Sequence, residues 1–215
     1  VFGGHFAQFL PQFLPPIVNF CKPSRPTNDR SMGMGAIAEL AEGCGEGILP
    51  HYEQVFFPLI MQGLGDSEVS VQRNSAFACG HLCLALGDKA ANQYPQFMQS
   101  LYPLFNIDVS GGDSSAACRD NAVGAIARMM TACPQNCPFG QILPIFFKCL
   151  PLINDQQEND AVYTCIVKLA KSGLGDLGGV FKEEVLRVVK AAMGLKEKDI
   201  DADLLTEVKG VFGVV

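Results

Sequence analysis

The chain has 215 residues, of which 48% are hydrophobic, 18% charged and 9% aromatic, with no Trp. That length holds one globular domain or one array of small repeats, and the apolar share is too high for a disordered chain. Sixteen Lys and Arg against 22 Asp and Glu give a formal charge of −6, which argues against binding nucleic acid by phosphate neutralisation.

The acidity is uneven. Residues 1–160 carry 14 acids and 8 bases, whereas residues 161–215 carry 8 of each. An acidic surface attracts basic partners, although acidity also serves solubility alone. Apolar stretches are broken by Gln, Pro, Asn or Lys well before about 18 residues, so no membrane span is expected. The start, VFGGHFAQFLPQFLPPIV, has no basic leader and no Met, which predicts no signal peptide and a fragment of something longer.

Taken in chain order, two helical patterns alternate. An aromatic and aliphatic one runs from Phe6 to Val18, then returns at Tyr52–Ile60, Tyr94–Leu104 and Ile142–Phe147. Each copy is expected to carry a Pro inside its helix (Pro11, Pro58, Pro103 and Pro144), bending an outer helix around a curved stack. The other pattern opens with polar residues and becomes small and apolar. It occupies Asp29–Leu40, Gln72–Gly80, Cys118–Met129 and Glu158–Ile166. Breaks fall at Gly45-Glu46-Gly47, Gly63 to Ser67, Gly87-Asp88 and Ser110-Gly111-Gly112-Asp113. A last amphipathic pair, Lys182–Met193 and Asp203–Phe212, the latter led in by Asp201, reads as the cap on the final repeat.

The repeat has a measurable period. Arg30 to Arg73 is 43 residues, Arg73 to Arg119 is 46, and Ala122 to Ala161 is 39. Helical pairs at a period of about 40–47 predict an all-α, right-handed HEAT-repeat α-solenoid of antiparallel helix pairs. Five pairs are expected, over 1–47, 48–91, 92–138, 139–178 and 179–215. Gly33, Gly35, Ala36, Ala76, Ala78, Gly80, Ala122, Gly124 and Ala125 read as close-packing positions. Gly33-Met34-Gly35 lacks the preceding strand that a nucleotide-binding loop needs.

Nine cysteines (21, 44, 79, 83, 118, 133, 137, 149 and 165) are an odd number, and most lie within apolar helical patterns. They read as core residues of a protein in a reducing compartment. The CxxxC pairs Cys79/Cys83 and Cys133/Cys137, with only His5, His51 and His81 available, lack zinc-site spacing. No metal or cofactor is expected. No nucleophile–base pair stands out, so no enzyme is expected either.

The phrases DRSMGMGAIAELAEG, VSVQRNSAFACGHL, CRDNAVGAIARMM and LPLINDQQENDAVYTCI, in that order, resemble the C-terminal repeats of the importin-β family, in its importin-4 branch. The resemblance covers the chain from about residue 1 to its end. It implies a cargo-binding segment of a nuclear import receptor that shuttles between cytoplasm and nucleus. It implies basic cargo: the lysine-rich histone 3 tail, the histone 3–histone 4 dimer, or ribosomal proteins. Ran and nucleoporins would be bound by the full-length receptor rather than by these repeats.

In such an array the second helices line the concave face. Their N-terminal ends carry Asp29, Asn74, Asp120, Asn121, Glu158, Asn159 and Asp160, and Glu39 and Glu42 lie further along the first of them. A lysine offers three donors and a positive charge, so it wants converging carboxylate and amide oxygens. The family's lysine pocket sets an Asn on one inner helix against Glu residues on the next, which Asn121 and Glu158 match best. Gln157 stands where relatives carry a second Glu, and Asp155 and Asp160 could compensate. Structural roles compete: Asp29, Asn74 and Asp160 as helix N-caps, and Asp120 in an inter-repeat Asp–Arg ladder. The alternative function is a HEAT scaffold for a multiprotein complex such as a phosphatase.

Overall fold

The computed structural model describes residues 3–213, and every regular element among them is helical. Ten α-helices follow one another: α1 (Leu10–Phe20), α2 (Thr27–Cys44), α3 (Phe57–Leu64), α4 (Val69–Leu86), α5 (Tyr94–Phe105), α6 (Asp113–Ala132), α7 (Phe139–Lys148), α8 (Asn159–Ser172), α9 (Lys182–Ala192) and α10 (Ala202–Phe212). None is long and apolar enough to cross a membrane.

The odd-numbered helices are short and one-sided. In α1 the buried residues are Leu10, Leu14 and Ile17, and in α5 they are Tyr94, Phe97, Leu101 and Leu104. Those spacings draw one apolar stripe on a helix that otherwise meets solvent. The even-numbered helices pack in succession, α2 on α4, α4 on α6, α6 on α8 and α8 on α10, and form an inner row. Each must be apolar toward both neighbours as well as toward its outer partner. The clearest case is α6, where every residue from Ala116 to Met130 is buried except Arg119.

Small side chains make this row possible. A Cβ on Gly80 of α4 would lie 2.8 Å from Ala125 Cα of α6, a distance real Cβ atoms do not show. The two helices therefore touch nearly backbone to backbone, the close approach that only Gly allows. At the far ends of α2 and α4 the chain turns through Gly45 (φ 54°) and Gly87 (φ 55°), the same device in successive repeats. Short 3₁₀ segments, Gly45–His51 and Gly87–Gln93, then lead to the next outer helix.

Buried tyrosines link the rows. The Tyr94 hydroxyl donates to the Met129 carbonyl (3.4 Å), and the Tyr163 hydroxyl to the Val188 carbonyl (3.2 Å). Each buries an aromatic ring without stranding its polar tip.

The proline expectation needs correction. Pro103 and Pro144 do lie inside α5 and α7, but Pro11 and Pro58 occupy the first turns of α1 and α3. Pro11 directly follows the 3₁₀ segment Gly3–Phe9, and Pro58 the π-helical turn Tyr52–Phe56, so each stands where one helix type passes into another rather than in mid-helix. The interior prolines of α1 are Pro15 and Pro16. A single turn of π-helix, Tyr52–Phe56, precedes α3. All nine cysteines are buried and unpaired. Burial pushes the thiols of Cys118, Cys137 and Cys165 up to about 12, so they stay protonated and act as apolar filling.

Candidate peptide-binding site

Each inner helix begins just after a turn from its outer partner. The turns that lead into α4, α6, α8 and α10 are 65–68, 106–112, 149–158 and 193–201. The polar residues expected at the starts of the inner helices mostly hold these turns in place, although Asp120 and Asn121 lie in the middle of α6 and Asn74 in the second turn of α4.

Arg30 of α2 makes a two-pronged pair with Asp66 in the next turn, Nε and Nη2 each 2.9 Å from a carboxylate oxygen. The geometry is the planar fork that suits a carboxylate. Burial alone would raise the Asp66 carboxyl, but the Arg30 bond and charge bring it below its ordinary value. Asp29 pairs with Arg25 one turn earlier, at 2.6 Å, and caps no helix. Asn74 donates to the Ser31 carbonyl and hydroxyl, both at 2.9 Å, and so ties α4 back to α2.

Asp120 is fully buried. One of its oxygens accepts from the backbone N–H groups of Ile153 (3.0 Å), Asn154 (2.6 Å) and Asp155 (2.9 Å). It is structural, yet it joins no Asp–Arg ladder: it clasps the next turn by its backbone. Its other oxygen is buried and unpartnered, and burial raises its carboxyl against the pull of the three N–H donors. Beside it, Asn121 Nδ2 donates to the Ala117 carbonyl (2.9 Å) and to Asp155 Oδ2 (2.8 Å). Asn159 donates to Gln156 Oε1 (2.9 Å) and to the Asp199 carbonyl (3.1 Å), and is buried as well.

Glu158 is the largest departure from expectation. It is 1% exposed, and both its oxygens take hydrogen bonds from the Arg128 guanidinium. A free carboxylate at this depth would have to be neutralised, and Arg128 is the counter-ion that α6 supplies. Burial still pushes the Glu158 carboxyl above its ordinary range. Gly124, one turn before Arg128, makes room: a Cβ there would lie 1.5 Å from Glu158 Oε2. Arg128 also lies over the Phe77 ring, 5.5 Å from its centroid, and the His81 ring packs tilted on Phe77 with centroids 4.3 Å apart. His81 Nδ1 comes within 3.6 Å of Glu42, but burial and the Arg128 charge push the imidazole down to about 4. At neutral pH that contact is therefore with a neutral ring.

The expected site residues thus divide. Asp120, Asn121, Glu158 and Asn159 are buried and spend their polar atoms on the protein itself. Asn74 is half-buried and engaged. Glu39, Glu42 and Asp160 are exposed, and Asp160 gives one oxygen to the Asp201 N–H at 2.8 Å. Gln157 is exposed and Asp155 half-buried. The partner that sequence reasoning missed is Arg128. A lone base inside the run AVGAIARMM was a signal that a buried counter-ion had to be found. Among the described residues no group of three His, Cys, Asp or Glu is placed to hold a metal ion.

No protein-family model matches the chain. It is 32% identical over 216 residues to a protein described as a probable importin subunit beta-4 of Schizosaccharomyces pombe, an alignment covering 97% of this chain and 19% of that one. It is 29% identical over 157 residues to importin-4 of Mus musculus, covering 73% of this chain and 14% of that one. The chain thus spans no more than about a fifth of the curated relatives it matches. The karyopherin Kap121p, solved in complex with the SUMO protease Ulp1p, superposes with a TM-score of 0.76 at 18% identity, over 99% of this chain and 19% of that one. A mutated form of Kap121p gives 0.75. That likeness shows the helical-repeat fold, and together with the sequence relatives it leads to one conclusion: the chain belongs to the importin-β family of karyopherins.

Proposed function

We propose that the chain is part of the cargo-binding surface of a nuclear import receptor, and that a basic, lysine-rich peptide lies along the inner row. The observation that carries the reading is the importin relative aligned over 97% of the chain. The cargo class follows from charge: residues 1–160 hold the whole acidic excess. The contacts we propose are the exposed acids Glu39 and Glu42 on α2 and Asp160 on α8, together with the partly covered Asn74 and Asp155. Asp120, Asn121, Glu158 and Asn159 support this surface from beneath by fixing the turn at 149–158 and the start of α8. The histone 3 tail, free or in the histone 3–histone 4 dimer, is the cargo we propose. In this reading the full-length receptor engages Ran and nucleoporins and shuttles between cytoplasm and nucleus.

A charge-assisted hydrogen bond contributes about 1.5–3 kcal/mol at best, and solvent exposure puts these acids at or below the low end. Two lysines on one peptide are therefore needed for useful affinity. Titration with a histone 3 tail peptide at two salt concentrations tests the proposal. Affinity is expected to fall with salt, to fall again in Glu39→Lys/Glu42→Lys, and to drop when the peptide lysines are acetylated. Absence of binding at high micromolar peptide, or equal affinity for acetylated peptide, sinks it.

A further inference from the structure

Of the four turns that precede α4, α6, α8 and α10, three are fastened by side chains from the inner helix before them. Arg30 of α2 holds turn 65–68 through Asp66. Asp120 and Asn121 of α6 hold turn 149–158. Asn159 and Asp160 of α8 hold turn 193–201. Turn 106–112 differs. Among the described residues, no side chain of α4 bonds to it. It is closed only on itself, with Asp108 Oδ1 accepting from the Ser110 N–H (2.9 Å) and hydroxyl (2.7 Å).

The cation for such a fastening is nonetheless present. Arg73 occupies in α4 the place of Arg30 in α2, one period of 43 residues later. Since α4 packs on α6 as α2 packs on α4, the shared register turns Arg73 toward the next repeat as it does Arg30. Its Nε makes a long contact with the neighbouring Asn74 Oδ1 (3.4 Å), and it forms no ion pair among the described residues. What turn 106–112 lacks is an anion in the place of Asp66.

Ser110 is exposed in that turn, with Asp113 three residues on and Asp108 two residues before. No other Ser or Thr of the 215 residues has an acid three positions later. An acid at that offset is what the basic substrate groove of an acidophilic Ser/Thr kinase reads. We infer that Ser110 is a phosphorylation site for such a kinase, and that its phosphate pairs with Arg73, fastening the one turn that the unmodified chain leaves loose. The kinase transfers the γ-phosphoryl group of ATP to Ser110 Oγ. The bond from Pγ to the bridging oxygen breaks, ADP leaves with that oxygen, and the hydroxyl proton passes to the kinase's base. The product bears three strong acceptor oxygens and nearly two charges, which suit a guanidinium fork.

The test begins by treating the chain with an acidophilic Ser/Thr kinase and ATP and mapping the product by mass. One phosphate is expected, at Ser110, absent in Ser110→Ala and reduced in Asp113→Ala. Phosphorus NMR then titrates the phosphoserine. Asp108 and Asp113 raise its second pKa and Arg73 lowers it, so the value should rise from that of the parent in Arg73→Gln and stay near it in Arg73→Lys. Modification at other sites, or none, overturns the site. A titration that does not change between the parent and Arg73→Gln overturns the partner, and Arg73→Lys separates loss of charge from damage to the fold.

Discussion

Gly124→Ala should be among the most damaging single-methyl additions in the chain. Elsewhere, replacing a mid-helix Gly by Ala stabilises by about 1 kcal/mol through propensity alone. At position 124 the new methyl would meet Glu158 Oε2 at 1.5 Å. The carboxylate must leave, and with it goes the pairing to Arg128, whose side chain is only 10% exposed. Separating a buried ion pair costs about 3–5 kcal/mol. Net of the propensity gain, a loss of about 2–4 kcal/mol is expected. Urea unfolding of the parent, Gly124→Ala, Glu158→Ala and the double variant measures it. In the Glu158→Ala background the extra methyl has space, so the Gly124→Ala cost should vanish or change sign, giving a strong coupling. A Gly124→Ala variant as stable as the parent, or costs that simply add, would refute the linkage between the glycine and the ion pair.

Three further expectations follow from the same contacts. Asp120→Ala strands three backbone N–H groups, each worth about 1–3 kcal/mol when left unpaired, so a loss of several kcal/mol and faster hydrogen exchange at residues 153–155 are expected; unchanged exchange there refutes the clasp. His81 stays neutral in the fold down to about pH 4, whereas the unfolded chain takes up a proton near 6.5. Its folded value is depressed because burial disfavours its charged form, so its burden appears only as pH falls from 6.5 towards 4 and reaches about 3 kcal/mol. His81→Phe should flatten that part of the stability–pH curve, and an identical curve would refute the assignment. Arg30→Gln should loosen turn 65–68, read as faster exchange at residues 66–68, while leaving the Arg128–Glu158 pair intact.

The architecture was legible because its causes are periodic. Stripes at helical spacing, small residues at recurring positions and breaks at Gly45 and Gly87 each depend on neighbours within one repeat, which a linear reading can see. The proline misreading shows where that fails: Pro11 and Pro58 look interior until the helix start is known within two residues. The site was harder for a different reason. Glu158 does stand at the start of α8, but Asn121 lies in the middle of α6, and a carboxylate such as Glu158 reads equally as a ligand for lysine. Which it serves depends on whether a cation lies across the helix interface, and Arg128 is 30 residues away in sequence. Asp120 was recognised as structural, yet its partners are backbone N–H groups, which carry no signature in the sequence.

The burial of these residues bears on how a solenoid can bind a flexible basic peptide. The exposed acids on α2 and α8 are easily screened and stand two inner helices apart, so their spacing must be set by something stiffer than themselves. The stiff parts lie along the row between them: a buried guanidinium–carboxylate pair between α6 and α8, a carboxylate holding three consecutive N–H groups, and a glycine that brings α4 and α6 nearly into backbone contact. The two buried carboxylates cost desolvation, and all three contacts fix one inner helix relative to the next. Charge reversal of Glu39 and Glu42 should therefore weaken peptide binding without altering stability. Weakening the Arg128–Glu158 pair should do the opposite first, lowering stability and only then disturbing the spacing on which the outer acids depend.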